Sequence, residues 1–173
     1  MAAPGDSAGR LAGEGGLMGV IHVCPMVRVP EVITAAGARH LLTLLSPGTE
    51  FSRPGSIPAE NHLHLEMHDI LREEEGLISP GRKHAETLID FGARWDRAAP
   101  LVINCFAGIS RSTAAAYILA ASLDPARDEH ELAAELRRVS PSATPNIRLI
   151  GFADDVLGRS GRMKKAIEAI GRG

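Results

Sequence analysis

Two residues that together can handle a phosphate group lie six positions apart, Cys105 and Arg111, with Gly108 between them. Their segment follows the apolar run 101–103 and precedes an alanine-rich apolar stretch, which predicts a loop between a buried strand and a helix. Backbone N–H groups in such a loop, together with the positive end of the helix dipole, bind anions of the phosphate type. The same field favours the thiolate form of a cysteine, which is a strong nucleophile toward phosphorus.

Other residues of this segment complete the chemistry. Arg111 can hold two phosphoryl oxygens with its planar guanidinium group, and the Ser112 hydroxyl can donate to the sulfur when the thiolate leaves. The alternatives are a buried structural cysteine and a surface arginine in the first turn of a helix, but helix starts disfavour cations. The residues predicted to bind the phosphoryl group are Phe106, Ala107, Gly108, Ile109 and Ser110.

A carboxyl group that could protonate a leaving group follows the segment 61–68, where apolar and polar residues alternate as on a half-buried strand. Asp69 comes directly after this strand and should lie at the carboxyl edge of the sheet, where parallel sheets bind their ligands. Its alternative role is that of a turn former or a helix cap. The competing acids Glu73, Glu74 and Glu75 form a charge run that is typical of a solvated loop.

Strand and helix patterns alternate along the chain and end in a run of helices. This predicts an α/β fold with a mainly parallel central sheet of about four to five strands flanked by helices. Residues 1–18 have no periodicity and are predicted to be a flexible tail, so that 19–173 form a single domain. The predicted strands are 20–23, 40–45, 61–68 and 101–103, and the predicted helices are 30–36, 82–96, 111–122, 129–139, 147–157 and 163–170.

The composition argues against several classes of partner. A formal net charge of −2 gives no reason to expect nucleic acid or a membrane surface. The sequence has no apolar run of about 18 residues and no positively charged leader before an apolar core. With two cysteines and no mark for export, reduced thiols in the cytoplasm are expected.

Two groups of metal-ligating or redox-active residues lie outside the loop. His62, His64 and His68 share one face of a predicted strand, which offers a metal-binding hypothesis. Residues two apart on a strand are about 7 Å apart, too wide for easy chelation, so we expect an exposed polar face and no metal. Cys24 is expected in the core, the alternative being a resolving cysteine that protects Cys105 by a reversible disulfide.

A basic cluster lies near the C-terminal end of the sequence. It consists of Arg159, Arg162, Lys164 and Lys165. Charge runs of this kind usually belong to a solvated helix face, and that is the expectation here. The alternative is a docking patch for an acidic partner.

The segment 105–112 resembles the signature of the cysteine-based protein tyrosine phosphatase superfamily: Cys, five residues, Arg, then Ser or Thr. The likeness is greatest to the small dual-specificity-like, bacterial branch, and residues 19–157 can be aligned with it. Asp69 stands near the position of that branch's general-acid aspartate, 36 residues before the cysteine. The pair Pro145-Asn146 resembles one that supports the phosphate loop in that branch. The resemblance therefore implies a phosphatase-like fold, with Asn146 close to the substrate.

The same resemblance implies an activity. This is hydrolysis of phosphomonoesters through a cysteinyl-phosphate (phosphocysteine) intermediate, with no metal or other cofactor. In this chemistry Cys105 attacks, Arg111 binds the phosphoryl group and Asp69 protonates the leaving group. The expected partner is a phosphorylated protein or a small phosphomonoester, because the loop lacks the extra cations that a polyphosphorylated ligand would need.

One departure from the signature keeps other functions open. Asn104 stands where the superfamily usually has a histidine that helps to tune the thiolate. A catalytically weak phosphate-binding module, a pseudophosphatase, is therefore one alternative. The other is a different enzyme with a cysteine loop, such as a sulfurtransferase or an arsenate reductase, which needs no leaving-group acid.

Overall fold

A five-stranded sheet forms the centre of the structure, a computed structural model that describes residues 9–11 and 19–173. The strands are β1 (Gly9–Leu11), β2 (Ile21–Pro25), β3 (His40–Leu45), β4 (His62–Glu66) and β5 (Leu101–Cys105). Their order is β1-β2-β5-β3-β4; the last four are parallel to one another, and β1 runs antiparallel to β2. The prediction of an α/β fold with a mainly parallel sheet is confirmed.

Helices cover both faces of the sheet, one helix on one face and the others on the opposite face. α1 lies on one face, where Val29, Val32 and Ile33 pack against the strands in a small core. The other helices build a larger core on the opposite face. No helix in the described part of the chain is long and apolar enough to cross a bilayer. The helices are α1 (Val29–Ala36), α2 (Arg82–Arg94), α3 (Arg111–Leu123), α4 (Glu129–Val139), α5 (Ile147–Val156) and α6 (Arg162–Ile170).

The central strand β5 is buried along its whole length, which explains its unbroken apolar start. Leu101, Ile103 and Cys105 face the larger core, whereas Val102 faces the smaller one. β2 and β3 flank β5 in parallel register, so the carboxyl ends of β2, β3, β4 and β5 meet at one edge of the sheet. Ligands bind at this edge in open parallel sheets, and Cys105 is the last residue of the central strand there.

The tail predicted for residues 1–18 differs from the structure at Gly9–Leu11. These residues form β1, which pairs with β2 from Gly9 opposite Val23 to Leu11 opposite Ile21. The physical reason is that β2 would otherwise be an edge strand with a row of unpaired backbone groups. Residues 1–8 and 12–18 lie outside the described residues.

The predicted basic cluster is divided by the fold. Arg159 is buried and precedes α6; its Nη1 is 2.9 Å from Glu129 Oε1, and its Nη2 donates to the Ala121 carbonyl at 2.8 Å. Arg162 Nε reaches the same carboxylate oxygen at 3.1 Å. Burial opposes charge on Glu129, but hydrogen bonds from its backbone and from Arg162 and Arg159 outweigh it and hold its pKa below the usual range. The expectation of a solvated face is therefore wrong for Arg159, which ties the start of α6 to α3 and α4.

Candidate active site

The sulfur of Cys105 lies at the end of β5, directly below the loop that leads into α3. The residue is only 2% exposed, and its Sγ is 3.0 Å from Ser112 Oγ in the first turn of α3. Ser112 is itself completely buried and contacts the sulfur from beneath. A hydroxyl at this distance can donate to a thiolate, as the sequence predicts for Ser112.

Two carbonyl groups of the loop between Cys105 and α3 are bound by backbone N–H groups from outside the loop. The Phe106 carbonyl accepts from Met26 N at 3.2 Å, and the Ile109 carbonyl accepts from Thr144 N at 2.9 Å. Within residues 19–173, the backbone N–H groups of 106–110 donate to no backbone carbonyl. With the carbonyls bound outside, these N–H groups are available to an anion held above the sulfur.

Gly108 allows the loop to fold this tightly. Its φ is +72°, and a Cβ built on it would lie 2.6 Å from Pro25 N and 2.7 Å from the Cys24 carbonyl carbon. The residue was predicted to bind the phosphoryl group directly. The Cβ side of its Cα faces the end of β2, so the residue can contact a phosphoryl group only through its backbone, and that contact stays a prediction.

Gly108→Ala is expected to destabilise the fold by about 2–4 kcal/mol, because a left-handed alanine is strained and its methyl group meets fixed backbone. Urea unfolding measures the loss. Gly37→Ala is the matched control: Gly37 has a φ of +65° but nothing within 4 Å of its Cβ position. Equal losses in the two variants would show that the contact with Pro25 has no energetic weight.

The guanidinium group of Arg111 is fixed on one side and free on the other. Its Nη1 donates to the Met67 carbonyl at 2.8 Å and to Ser46 Oγ at 3.2 Å. The residue is 6% exposed, and its Nε has no hydrogen-bond partner among the described residues. A buried donor without a partner costs free energy, and an anion that accepted a hydrogen bond from Nε would remove that cost.

The carboxylate of Asp69 lies beside the loop, as the sequence predicts. Its Oδ1 accepts from Ser110 Oγ at 2.7 Å and from Asn146 Nδ2 at 2.7 Å. Among the described residues Oδ2 makes no hydrogen bond and can carry a proton toward the cleft. The competing Glu73 turns outward: its side chain is 84% exposed and pairs with Arg148 at 3.0 Å.

Asn146 connects three parts of the site from the start of α5. Its Oδ1 caps the helix by accepting from Leu149 N at 3.1 Å, and its backbone N–H donates to the Ser110 carbonyl at 3.3 Å. Its Nδ2 holds Asp69. Asn146 therefore caps α5 and at the same time contacts both Asp69 and the loop 106–110.

A cleft of about 900 Å³ opens above the sulfur. Its walls join the predicted residues to apolar side chains from the loop after Asp69, from α5 and from α6. Phe106, 62% exposed, stands at its mouth. The predicted residues that line it are Asp69, Cys105, Phe106, Ala107, Ile109, Ser110, Arg111 and Asn146, and the apolar ones include Leu71, Ile147 and Ile167.

Asn104 is buried on the opposite face of the sheet from Cys105. Its Oδ1 accepts from Thr43 Oγ1 at 2.9 Å, while its Nδ2 has no partner among the described residues. Thr43 Oγ1 also lies 3.0 Å from His62 Nε2. Burial, then the neighbouring His64 and Arg53, lower the pKa of His62 to about 4, so this ring is neutral at neutral pH.

The histidines of β4 do not converge on a common point. His62 stacks on His64 with the ring centroids 6.0 Å apart, and His68 Nδ1 accepts from Ile78 N at 2.9 Å. Among the described residues, no three His, Cys, Asp or Glu side chains are grouped as a metal site would need. The contacts of these rings therefore give the metal hypothesis no support.

Cys24 lies on the wrong side of the sheet to protect the nucleophile. It pairs in register with Asn104, so its side chain points into the smaller core while Cys105 points into the larger one. Both thiols are free. Burial raises the pKa of Cys24 to about 12, which removes it from thiolate chemistry at neutral pH.

Sequence reasoning did not find the residues that hold the site residues in place. Ser46 and Met67 anchor Arg111, Thr43 binds Asn104, and Arg148 binds the loop that follows Asp69. Ser46 and Met67 stand just beyond β3 and β4, so their position at the carboxyl edge was a usable signal. Arg148 gave no such signal.

Comparisons with known proteins agree with this architecture. No family model matches the sequence, and no curated protein matches it. Among solved structures, DUSP15 matches with a TM-score of 0.64 at 14% identity, covering 90% of this chain and 94% of that one. Human DUSP28 matches with a TM-score of 0.61 at 16% identity, covering 98% and 99%. The chain has the fold of the cysteine-based protein tyrosine phosphatases.

The same fold is found in a protein that is named only as phosphatase-like. The human tyrosine phosphatase-like serine/threonine/tyrosine-interacting protein matches with a TM-score of 0.62 at 13% identity, covering 81% of this chain and 92% of that one. At such identities the likeness establishes the fold, and the chemistry has to be argued from this chain's own residues.

Proposed function

We propose that the protein hydrolyses phosphomonoesters through a cysteinyl-phosphate intermediate. The observation that carries the proposal is the guanidinium group of Arg111. It is buried, anchored through Nη1, and has an unpartnered Nε in the same cleft as Cys105. An anion with several oxygens would satisfy that donor, together with the N–H groups of 106–110.

The first step transfers the phosphoryl group to sulfur. The thiolate of Cys105 attacks phosphorus, the bond from phosphorus to the leaving oxygen breaks, and Asp69 gives that oxygen its proton. Arg111 and the loop N–H groups stabilise the charge on the equatorial oxygens without having to reorganise.

The second step releases phosphate. Water attacks phosphorus, the Asp69 carboxylate takes the proton from the water, and the sulfur leaves as a thiolate that accepts from the Ser112 hydroxyl. Because Ser112 Oγ already lies 3.0 Å from Sγ, this stabilisation needs no movement. Arg111, the loop N–H groups and Ser112 thus stabilise the negative charge that develops in each step. We therefore expect no cofactor to be required.

The substrate that fits this cleft best has one phosphate next to an apolar body, on a protein or on a small molecule. Residues 106–110 include no Lys or Arg, and Phe106, Ile109 and Leu71 give the mouth apolar walls. The thiolate also needs a compartment that keeps thiols reduced, for which we propose the cytoplasm.

A second candidate is a phosphate-binding module with little turnover. The observation that favours it is Asn104, an uncharged residue in place of the usual histidine, whose buried Nδ2 is unpartnered among the described residues. A sulfurtransferase or arsenate reductase fits less well, because neither needs a leaving-group acid, whereas the carboxylate of Asp69 lines the same cleft as Cys105.

The test is the replacement Asp69→Asn, measured with two substrates. For phenyl phosphate, whose leaving group needs a proton, kcat/KM, which reports the first step and not the release of phosphate, should fall by about 10²–10⁴-fold. For 4-nitrophenyl phosphate, whose leaving group is already a stable anion, the fall should be much smaller.

Glu74→Gln serves as the control, since Glu74 is exposed and does not line the cleft. An equal fall in kcat/KM for both substrates in Asp69→Asn would remove Asp69 from protonation of the leaving group. Negligible turnover in the wild-type protein, with measurable binding of inorganic phosphate, would favour the binding module.

A further inference from the structure

The loop from Ile70 to Pro80 carries Asp69 at its start and has few contacts of its own. It contains neither helix nor strand, and Leu71 is 56% exposed. The two ends of the loop are joined by a hydrogen bond from the backbone N–H of His68 to the Ile78 carbonyl, at 2.7 Å. The position of such a loop relative to the nucleophile depends on a small number of anchors.

One of these anchors is Arg148 on α5. Its Nε donates to the Pro80 carbonyl at 2.7 Å, and its Nη2 donates to Glu73 Oε1 at 3.0 Å. The guanidinium lies over the Phe152 ring at 5.3 Å, which holds its plane in one orientation. Arg148 therefore contacts both the middle and the end of the loop.

The same helix also holds the start of the loop. Asn146, two residues earlier, donates through Nδ2 to Asp69 Oδ1 at 2.7 Å and to the Ile70 carbonyl at 3.4 Å. Its backbone N–H binds the Ser110 carbonyl. The first turn of α5 is thus a common support for the loop that carries the acid and the loop that carries the nucleophile.

The two contacts of Arg148 differ in weight. The Glu73 side chain is 84% exposed, so its ion pair with Arg148 contributes little. Pro80 is buried, and its carbonyl accepts a charge-assisted hydrogen bond from an arginine side chain that is only 21% exposed. The bond to the Pro80 carbonyl should therefore dominate.

We propose that Arg148 is a positioning residue, which fixes the loop 70–80 on α5 and so keeps Asp69 at hydrogen-bonding distance from the leaving group. Arg148 does not line the cleft, so it acts only through the loop. The catalytic part of this inference rests on the proposed function, whereas the anchoring of the loop can be measured without turnover.

The experiment uses Arg148→Met, which keeps an unbranched side chain on Phe152 and removes both donors. Hydrogen exchange at Leu77 and Ile78, whose backbone N–H groups donate to the Glu74 carbonyl and to His68 Nδ1, should become about tenfold faster, as expected for a loop that loses an anchor. The kcat/KM for phenyl phosphate should fall about tenfold, because a misplaced acid transfers its proton to the leaving group less often. The kcat/KM for 4-nitrophenyl phosphate should change by less than about twofold, since that leaving group barely needs the acid.

Two controls separate the contacts. Glu73→Gln removes the exposed ion pair and keeps the bond to Pro80, so exchange and both rates should stay near those of wild type. Glu74→Gln makes the same chemical change at the next position. Loss of the phenyl phosphate rate in Glu73→Gln as large as in Arg148→Met would overturn the assignment to Pro80.

Three further outcomes support or overturn the proposal. Unchanged exchange at Leu77 and Ile78 for Arg148→Met would overturn the proposal whatever the rates are. Faster exchange with equal slowing of both substrates would show that Arg148 supports phosphate binding and not the acid. If wild type hydrolyses neither substrate, the proposed function fails; faster exchange then supports the anchoring alone.

Discussion

Cys105→Ser is expected to reduce turnover by on the order of 10⁴-fold or more, the scale of removing a covalent nucleophile. A serine hydroxyl stays protonated at neutral pH, and among the described residues the side chain hydrogen-bonded to Sγ is that of Ser112, at 3.0 Å, whose hydroxyl is not a general base. Binding of inorganic phosphate should survive, because the N–H groups of 106–110 and Arg111 are untouched. Steady-state kinetics and calorimetric titration with phosphate measure the two quantities separately.

Cys24→Ser is the matched control for this result. Cys24 is also buried, but it faces the smaller core on the other side of the sheet. This variant should lose some stability and keep its turnover once folded. Turnover in Cys105→Ser close to that of wild type would disprove covalent catalysis at this position. Loss of phosphate binding in the same variant would show that the sulfur contributes to binding of the phosphate.

The arrangement of the loop could be predicted from the sequence because its parts are contiguous. Cys105, Gly108, Arg111 and Ser112 lie within eight consecutive residues, and local geometry alone brings them together at the end of β5. The close packing of Gly108 was the exception. A close approach to Pro25 involves another strand, and the sequence alone does not say which strand lies beside the loop.

Element boundaries were predictable where capping decides them. α4 begins and ends where it was predicted, and Asp128 caps it by accepting from His130 N and Glu131 N. α2 ends at Arg94, two residues before the predicted end. There Trp95 leaves the helix with a ψ of 118°, buries its ring and donates from Nε1 to the Ala99 carbonyl at 3.0 Å. Tertiary burial of one large side chain outweighed the local helical pattern.

Strand order and long-range anchors could not be predicted, because they depend on sheet topology. Thr43 reaches Asn104 across 61 residues, and Arg111 reaches Met67 across 44. The hydrophobic pattern places each strand in the sheet without saying which strand is its neighbour. The pairing of Gly9–Leu11 with β2 was also missed, because three residues are too few to show a strand periodicity.

Arg111→Lys is expected to be nearly as damaging as Arg111→Ala, with kcat/KM lower by about 10³-fold in each, the lower end of what a transition-state arginine contributes. The structure gives the reason. Arg111 uses Nη1 to reach the Met67 carbonyl and Ser46 Oγ, while Nε, with no partner among the described residues, remains for the phosphoryl oxygens. A lysine has one nitrogen for both tasks and cannot reproduce the bidentate fork.

The stability of the free protein should respond to these substitutions differently from the catalytic rate. Because the Nε of Arg111 is buried without a partner, its removal relieves a cost of about 1–3 kcal/mol that offsets the lost contacts to Met67 and Ser46. The free energy of unfolding in urea should therefore change little in Arg111→Ala while activity collapses. Arg172→Lys is the control, because Arg172 lines the cleft but is exposed, and its rate should stay near that of wild type. Near-wild-type kinetics in Arg111→Lys would show that a positive charge is sufficient, and the argument from the anchored fork would then be wrong.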